Sequence, residues 1–431
     1  MGEHFGGTLE VPGDKSISHR VAILSSLAHD TSTVIGFLQS EDCINTLRAL
    51  RMLRVESYVD RDGELKISGV GGEFTKPSGP LAFGNSGTGM RLMAGLMAPQ
   101  NFRVSMEGDA SLTRRPMERI CRPLELMGSE FTFNGEKYFP PFEVIGSPLT
   151  GIEYEMPMAS AQVKSCILLA ALFADGVSVI HEPRPTRDHT ERLIRVLDVP
   201  IEVDGLTIRL EGFGPEGPEV ETTDWYVPGD FSSAAFWIVS AAARPGVSIS
   251  IQNVGLNPRR TALLKVLERM GADVTVEVIS ESDVVEPYGD INVHGAALTG
   301  TEIGGNEIPN LIDELPLVAV LGALAEGETV IRDAAELRVK ESDRIHAMAE
   351  NLKRFNVKVE EREDGMTISG PAKLKADGPA SSFGDHRIAM ATAILATYAD
   401  AGGTIEDIAC TETSYTGFWG DLRHLGANVE F

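Results

Sequence analysis

The chain has 431 residues, about two to three times the usual size of one domain, so at least two hydrophobic cores are expected. Its 42% hydrophobic and 23% charged residues are those of an ordinary globular protein and exclude a disordered or fibrous one. A net charge of −25 argues against nucleic acid or an anionic membrane surface as a bulk partner, so any anionic ligand must be caught by locally clustered cations. Cys43, Cys121, Cys166 and Cys410 lie far apart with no C-x-x-C pair, which suggests neither a zinc site nor a disulfide framework and fits a reducing cytoplasm. No secretory leader pattern is expected at the start. The longest clean apolar run, Leu317 to Ala325, is well short of the roughly 20 residues that a membrane-spanning helix needs.

In chain order the predicted elements repeat. An isolated strand, Gly7 to Val11 (GTLEV), precedes the loop PGDKSISHR at Pro12, which runs straight into an Ala-rich apolar helix. The same loop-into-helix pattern returns at Gly84 (GNSGTGMR), Met158 (MASAQVKS), Pro228 (PGDFSSAAF), Ile312 (IDELPLVAV) and Gly384 (GDHRIAMA), at intervals of roughly 70 to 80 residues. Second, amphipathic helices are predicted over Thr46 to Leu53, Met117 to Met127, Thr190 to Leu197, Arg259 to Met270 and Ser342 to Phe355. β-Rich stretches follow, with Asp62-Gly63, Asp204-Gly205 and Asp364-Gly365 as hairpin turns. The unit is β-α-β-α-β-β. Its sixth copy stops about one strand short at Phe431, and GTLEV is expected to complete it. Six units imply two α/β domains of three units each: residues 1–14 with 229–431, closed by the N-terminal strand, and residues 15–228 inserted between them, the active site lying in the cleft. The chain is expected to cross at the two PGD sequences, each of which reads either as a hinge or as a turn leading into a helix N-cap.

In so acidic a chain the informative cations are those in apolar or glycine-rich surroundings. Lys15, Arg20, Arg91, Arg114, Arg115, Lys164, Arg187, Lys340, Arg344 and Arg387 all lie in or beside these loops, at helix starts whose N–H groups already favour anions. Together they could hold more than one phosphate or carboxylate. A P-loop is excluded because Asp14 separates Gly13 from Lys15, and GNSGTG lacks the dinucleotide order G-x-G-x-x-G while remaining a plausible anion nest. Asp313-Glu314 reads as a helix-dipole complement, and Arg338 to Arg344 as a solvated salt-bridged face. Asp385-His386-Arg387, a second dense ionic cluster before an apolar helix, makes an ionic site the rival reading. The nine histidines show no metal-ligand spacing and no G-x-S-x-G elbow appears. The residues alone point to an enzyme or binder of small anionic ligands with acid–base groups available.

PGDKSISHR, GNSGTGMR, RRPM, SAQVKS, TRDHTER, PGDFSSAAF, LRVKESDRI and GDHRIAMA, in this order between Val11 and about Ala396, resemble the 5-enolpyruvylshikimate-3-phosphate synthase family of enolpyruvyl transferases. The resemblance implies two inside-out α/β barrel domains of three repeats each. It implies transfer of the enolpyruvyl group of phosphoenolpyruvate to the 5-hydroxyl of shikimate 3-phosphate, on the shikimate pathway to aromatic amino acids, with no metal or organic cofactor. It also implies residue roles. Lys15, Ser16, Arg20, Ser160, Ala161, Gln162, Arg187, Asp313 and Lys340 would hold shikimate 3-phosphate. Lys15, Asn85, Gly87, Thr88, Arg115, Gln162, Glu341, Arg344, His386 and Arg387 would hold phosphoenolpyruvate. Asp313 would accept the proton of the 5-hydroxyl, and Glu341, assisted by Lys15, would exchange a proton with the methylene carbon. A glutamic acid that donates near neutral pH needs a raised pKa, which closure over the substrates could supply.

One stretch departs from the family pattern. Where relatives commonly carry a Lys ahead of a S/T-F-P segment, this chain reads Cys410 to Phe418 with Glu412-Thr413 and Thr416, which is expected to raise the KM for phosphoenolpyruvate with kcat little changed. Gly87 instead of Ala implies sensitivity to glyphosate. Two rivals are weighed: an enolpyruvyl transferase acting on UDP-N-acetylglucosamine, which would need a loop cysteine where Cys121 instead falls in the predicted helix Met117 to Met127 and RRPM replaces the loop, and an anion-binding pseudoenzyme, which only the missing Lys favours. The partners implied are small-molecule substrates, with no nucleic acid and no membrane, and family precedent suggests a monomer.

Overall fold

The computed structural model describes residues 5–281 and 285–431. The chain divides into two compact units. Met1–Pro12, Pro228–Glu281 and Pro287–Phe431 form a discontinuous unit, and Gly13–Val227 with Ser282–Glu286 forms an inserted one. Each has its own hydrophobic core.

The helices that follow the six loops build these cores. Phe231–Ala242 is buried along its whole length, and Lys15–Ser25, Gly87–Met97, Ala161–Ala171, Leu315–Leu324 and His386–Thr397 are buried over nearly all of theirs. A helix that is apolar all round belongs inside rather than on a surface. Polar loops can enter such helices because side chains take the first free N–H groups. Asp14 accepts from Ile17 N (2.9 Å), Ser86 from Gly89 N (3.1 Å), Asp230 from Ser232 N (2.7 Å) and Asp385 from Arg387 N (2.9 Å). Both PGD sequences therefore do end in an N-cap. The second helices are amphipathic, as Glu118–Met127 illustrates by burying Ile120, Cys121, Leu124 and Met127 while Leu126 faces solvent. The first of them begins earlier than its apolar spacing predicts, at Glu41 rather than Thr46, because the acidic first turn Glu41-Asp42 suits a helix N-terminus.

Sheets lie outside the helices. Five described sheets have four strands with one pairing plan: a short leading strand, parallel to the strand after the first helix, which pairs antiparallel with the far strand of a hairpin. In the second repeat, Leu81–Ala82 lies beside Arg103–Glu107, then Phe142–Ile145, then Glu130–Phe133. The three Asp-Gly pairs fall at the hairpin ends. These sheets are mixed and open, and the described strands close no barrel. In the sixth repeat the described pairing is reduced to Ala380–Ser381 beside Ile405–Glu406.

The N-terminal strand does not complete that last sheet. Gly7–Glu10 runs parallel to Ser248–Gly255 in the fourth repeat, in register from Gly7 opposite Ile249 to Glu10 opposite Gln252. The reason is an exchange of leading strands: Trp225–Tyr226, the strand ahead of the fourth loop, pairs with Thr31–Ile35 in the first repeat, which leaves one edge of Ser248–Gly255 to be covered. The last repeat is still touched, through Gly6 N donating to Leu425 O at 2.9 Å. No described helix is long and apolar enough to cross a membrane.

Helices Gly87–Met97 and Ala161–Ala171 approach closely at Gly95, where an added Cβ would lie 2.2 Å from the Cys166 carbonyl oxygen. Gly95→Ala should force the two backbones apart and destabilise the inserted unit by about 1–3 kcal/mol, read as a lower urea midpoint. An unchanged midpoint would mean that the helices can separate without loss.

Candidate active site

In the inserted unit the expected site residues gather at the starts of the three buried helices. Lys15 opens the first, its Nζ 3.1 Å from Asp42 Oδ2. One turn on, His19 is held neutral, its pKa driven well below the usual imidazole value by burial and then by Lys15 and Arg20, and Nδ1 lies 2.8 Å from Thr46 Oγ1. Arg20 is 4% exposed and donates to Thr190 Oγ1 (2.7 Å), Ser165 Oγ (2.7 Å) and Ser16 O (2.8 Å). All three acceptors are neutral. Burial accordingly lowers its pKa to about 10 against the pull of Glu191 and Asp14, with Arg187, in the loop ahead of helix His189–Val196, pushing the same way as burial.

The second and third helices share one network. Arg91 donates to Gln162 Oε1 at 2.7 Å, Gln162 Nε2 donates to Thr88 Oγ1 at 2.8 Å, and Arg115 donates to Asn85 Oδ1. Ser160 caps the helix that Ala161 and Gln162 begin. Gly87 sits against this network: a Cβ there would be 3.1 Å from Arg91 Nη1 and 3.2 Å from Arg115 Nη1. Asn85, Gly87, Thr88, Arg115 and Gln162 are thus brought together, as an arrangement of donors suited to a small anion.

The discontinuous unit carries the acids. Arg344, 2% exposed at the start of helix Arg344–Arg354, binds three carboxylates: Asp385 Oδ2 at 2.8 Å from Nε, Glu341 Oε2 at 2.6 Å from Nη2 and Asp313 Oδ1 at 3.3 Å from Nη1. Burial alone would lower its pKa, but Asp385, Glu341 and Asp313 together hold it above its ordinary value. Arg387 approaches the same Asp313 Oδ1 with Nε at 3.6 Å and donates from Nη1 to the Asp313 carbonyl at 3.2 Å. Lys340 is lowered, first by burial and also by Arg344, with Asp313, Glu336 and Glu341 opposing. His386 Nδ1 lies 3.3 Å from Thr413 Oγ1, in the stretch that departs from the family pattern. Within this unit Asp313, Lys340, Glu341, Arg344 and Arg387 form one cluster.

Four side chains that hold the expected site cations were not singled out by their sequence pattern: Asp42, Ser165, Thr190 and, as a ligand of Arg344, Asp385. Each acts on a residue far along the chain, and only the place of Asp385 in the ionic cluster ahead of an apolar helix gave a hint. Cys121 lies, as expected, in a helix, Glu118–Met127, and is buried there, which pushes its thiol far above the range of a nucleophile and counts against the UDP-N-acetylglucosamine alternative.

Comparison with known proteins places the chain in a class. A solved structure, the enolpyruvyl transferase NikO from Streptomyces tendae, superposes with a TM-score of 0.79 at 16% identity, covering 100% of this chain and 97% of its own, and so shares the fold. The EPSP synthase from Acinetobacter baumannii superposes with a TM-score of 0.87 at 42% identity, covering 100% of this chain and 98% of that one. The sequence model of EPSP synthase (3-phosphoshikimate 1-carboxyvinyltransferase) matches residues 2–422. Relatives of that name from Akkermansia muciniphila and Salinibacter ruber are 49% and 46% identical, covering 97% and 98% of this chain and 97% of each relative. The chain belongs to the EPSP synthase family.

Asp385 has the largest share in holding the buried Arg344. Asp385→Ala should leave that guanidinium short of charge in the interior and destabilise the discontinuous unit by about 3–5 kcal/mol, measured by chemical denaturation. A loss below about 1 kcal/mol, the level of an exposed ion pair, would contradict the assignment.

Proposed function

We propose that the chain transfers the carboxyvinyl group of phosphoenolpyruvate to the 5-hydroxyl of shikimate 3-phosphate and releases phosphate. The observation that carries this reading is the EPSP synthase match over residues 2–422. In it the 5-hydroxyl oxygen bonds to C2 of phosphoenolpyruvate, Asp313 takes the hydroxyl proton, and Glu341 with Lys15 delivers a proton to the C3 methylene. C3 then returns a proton to Glu341, the double bond re-forms and the C2–O bond to phosphate breaks. Arg115, Arg344, His386 and Arg387, with Lys15, Asn85, Gly87, Thr88 and Gln162, would receive phosphoenolpyruvate. Lys15, Ser16, Arg20, Ser160, Ala161, Gln162, Arg187, Asp313 and Lys340 would receive shikimate 3-phosphate. Support for these roles comes from the two acids sharing Arg344, and from the hydrogen-bonded set around Gly87. We place the reaction in the cytoplasm, carried out by a monomer.

Purified protein given phosphoenolpyruvate and shikimate 3-phosphate in EDTA is expected to release phosphate, and to release none with UDP-N-acetylglucosamine as acceptor. Release with neither acceptor, despite calorimetric binding of shikimate 3-phosphate, would instead favour an anion-binding protein without turnover. A second expectation concerns glyphosate, taken to occupy the phosphoenolpyruvate position. Gly87→Ala introduces a methyl group against Arg91 and Arg115 and should raise the glyphosate inhibition constant by about tenfold or more. Equal constants for the two proteins would remove Gly87 from that position.

A further inference from the structure

Behind Arg20 lies a set of charges that this reaction does not use. Lys164, the residue before Ser165, is fully buried, with Nζ 2.7 Å from Glu191 Oε1 and 3.0 Å from Glu182 Oε2. Glu182 Oε1 accepts a further hydrogen bond from Thr186 Oγ1. Glu191 Oε2 is different: it is buried with no hydrogen-bond partner among the described residues. A buried carboxylate oxygen without a hydrogen bond is costly unless a cation lies close by.

Arg20 is placed to be that cation. Glu191 follows Thr190 and Lys164 precedes Ser165, and Thr190 and Ser165 are the two hydroxyls on which the guanidinium rests. Both hydroxyl protons are directed away from it, since Thr190 donates to Ser165 Oγ at 2.7 Å and Ser165 donates to Ala161 O at 2.6 Å. Their lone pairs are thereby left to Arg20. Of the charged groups around Arg20, Glu191 favours its cation most; Asp14 and Glu286 add to this and Arg187 opposes it. The contrast with Arg344 is informative, because there three carboxylates occupy the guanidinium directly. A carboxylate bonded to Arg20 in that way would compete with an anionic substrate. One layer deeper, it can fix the cation without covering it.

We propose that Glu191 is a positioning residue, which holds Arg20 against the Thr190 and Ser165 hydroxyls so that its remaining N–H groups are ordered for the anion of the acceptor substrate. This rests on the reading of Arg20 as a shikimate 3-phosphate ligand. Glu182 is the internal control, since it pairs with the same Lys164 but does not adjoin the hydroxyls.

The test compares Glu191→Gln, Glu182→Gln, Arg20→Gln and the Arg20→Gln/Glu191→Gln double variant in the full chain, by calorimetric Kd for shikimate 3-phosphate and by thermal midpoint without ligand. Glu191→Gln should raise Kd about tenfold with kcat little changed, Glu182→Gln less than about threefold, and in the Arg20→Gln background Glu191→Gln should add less than about twofold. Glu191→Asp, which keeps the charge, should recover most of the affinity. Equal effects of the two Gln substitutions, or an undiminished effect of Glu191→Gln when Arg20 is absent, would reduce Glu191 to a structural partner of Lys164. Should Glu191→Gln not fold, Lys164→Met/Glu182→Met/Glu191→Met removes all three charges together, a replacement that a buried ionic triad can tolerate, and must weaken binding likewise. If the unaltered protein does not bind shikimate 3-phosphate, the functional reading fails. The cycle in thermal midpoints then decides this proposal alone: Arg20→Gln and Glu191→Gln must be non-additive for it to stand.

Discussion

A guanidinium removed from water must find carboxylates or ordered acceptors, or its burial costs several kcal/mol. Arg344 meets that demand with Asp385, Glu341 and Asp313, and much of the discontinuous unit can be understood from it. Asp385 caps the helix that begins at His386, Glu341 comes from the segment just before Arg344's own helix, and Asp313 from the loop entering Leu315–Leu324. One side chain therefore ties together the starts of three helices. Because two of its partners are the acids assigned to proton transfer, the same ion pairs that hold the fold also set where those acids stand.

The inserted unit solves the problem in another way. Arg20 rests on two hydroxyls and a carbonyl, so neutral groups orient this cation, and Arg91 and Arg115 each donate to an amide oxygen. In low-dielectric surroundings a cation arranged like this keeps much of its attraction for an incoming anion. The contrast is visible in composition at two segments: acids and cations interleave in LRVKESDRI, whereas GNSGTGMR carries Ser, Thr, Asn and Gly ahead of its cation.

The six-fold spacing, the buried loop-led helices and the Asp-Gly turns were legible in the sequence because each is a local pattern of roughly one helix or hairpin. The destination of GTLEV was not. A parallel strand carries no local mark of its partner, and the gap in the last repeat was a more obvious vacancy than an edge opened by exchange. The segment Arg338 to Arg344 shows how one charge pattern can hold both readings. Arg338 pairs with Asp343 and Glu361 at the surface, as a solvated face would, whereas Arg344 turns inward. At the site, types and positions of the cations were readable; Thr190, Ser165 and Asp42 were not, since their partners lie up to 170 residues away.

The exchange of leading strands also orders events in time. As the chain is made, Trp225–Tyr226 can close the sheet of the first repeat soon after it is synthesised, but Gly7–Glu10 has no strand to join until Ser248–Gly255 appears, roughly 240 residues behind it. Of the described strands, Gly7–Glu10 thus waits through the longest stretch of chain for its partner. A nascent chain keeps that strand unpaired until Ser248–Gly255 has been made, and the charged Glu10 within it is the kind of residue that discourages wrong partners in the interval.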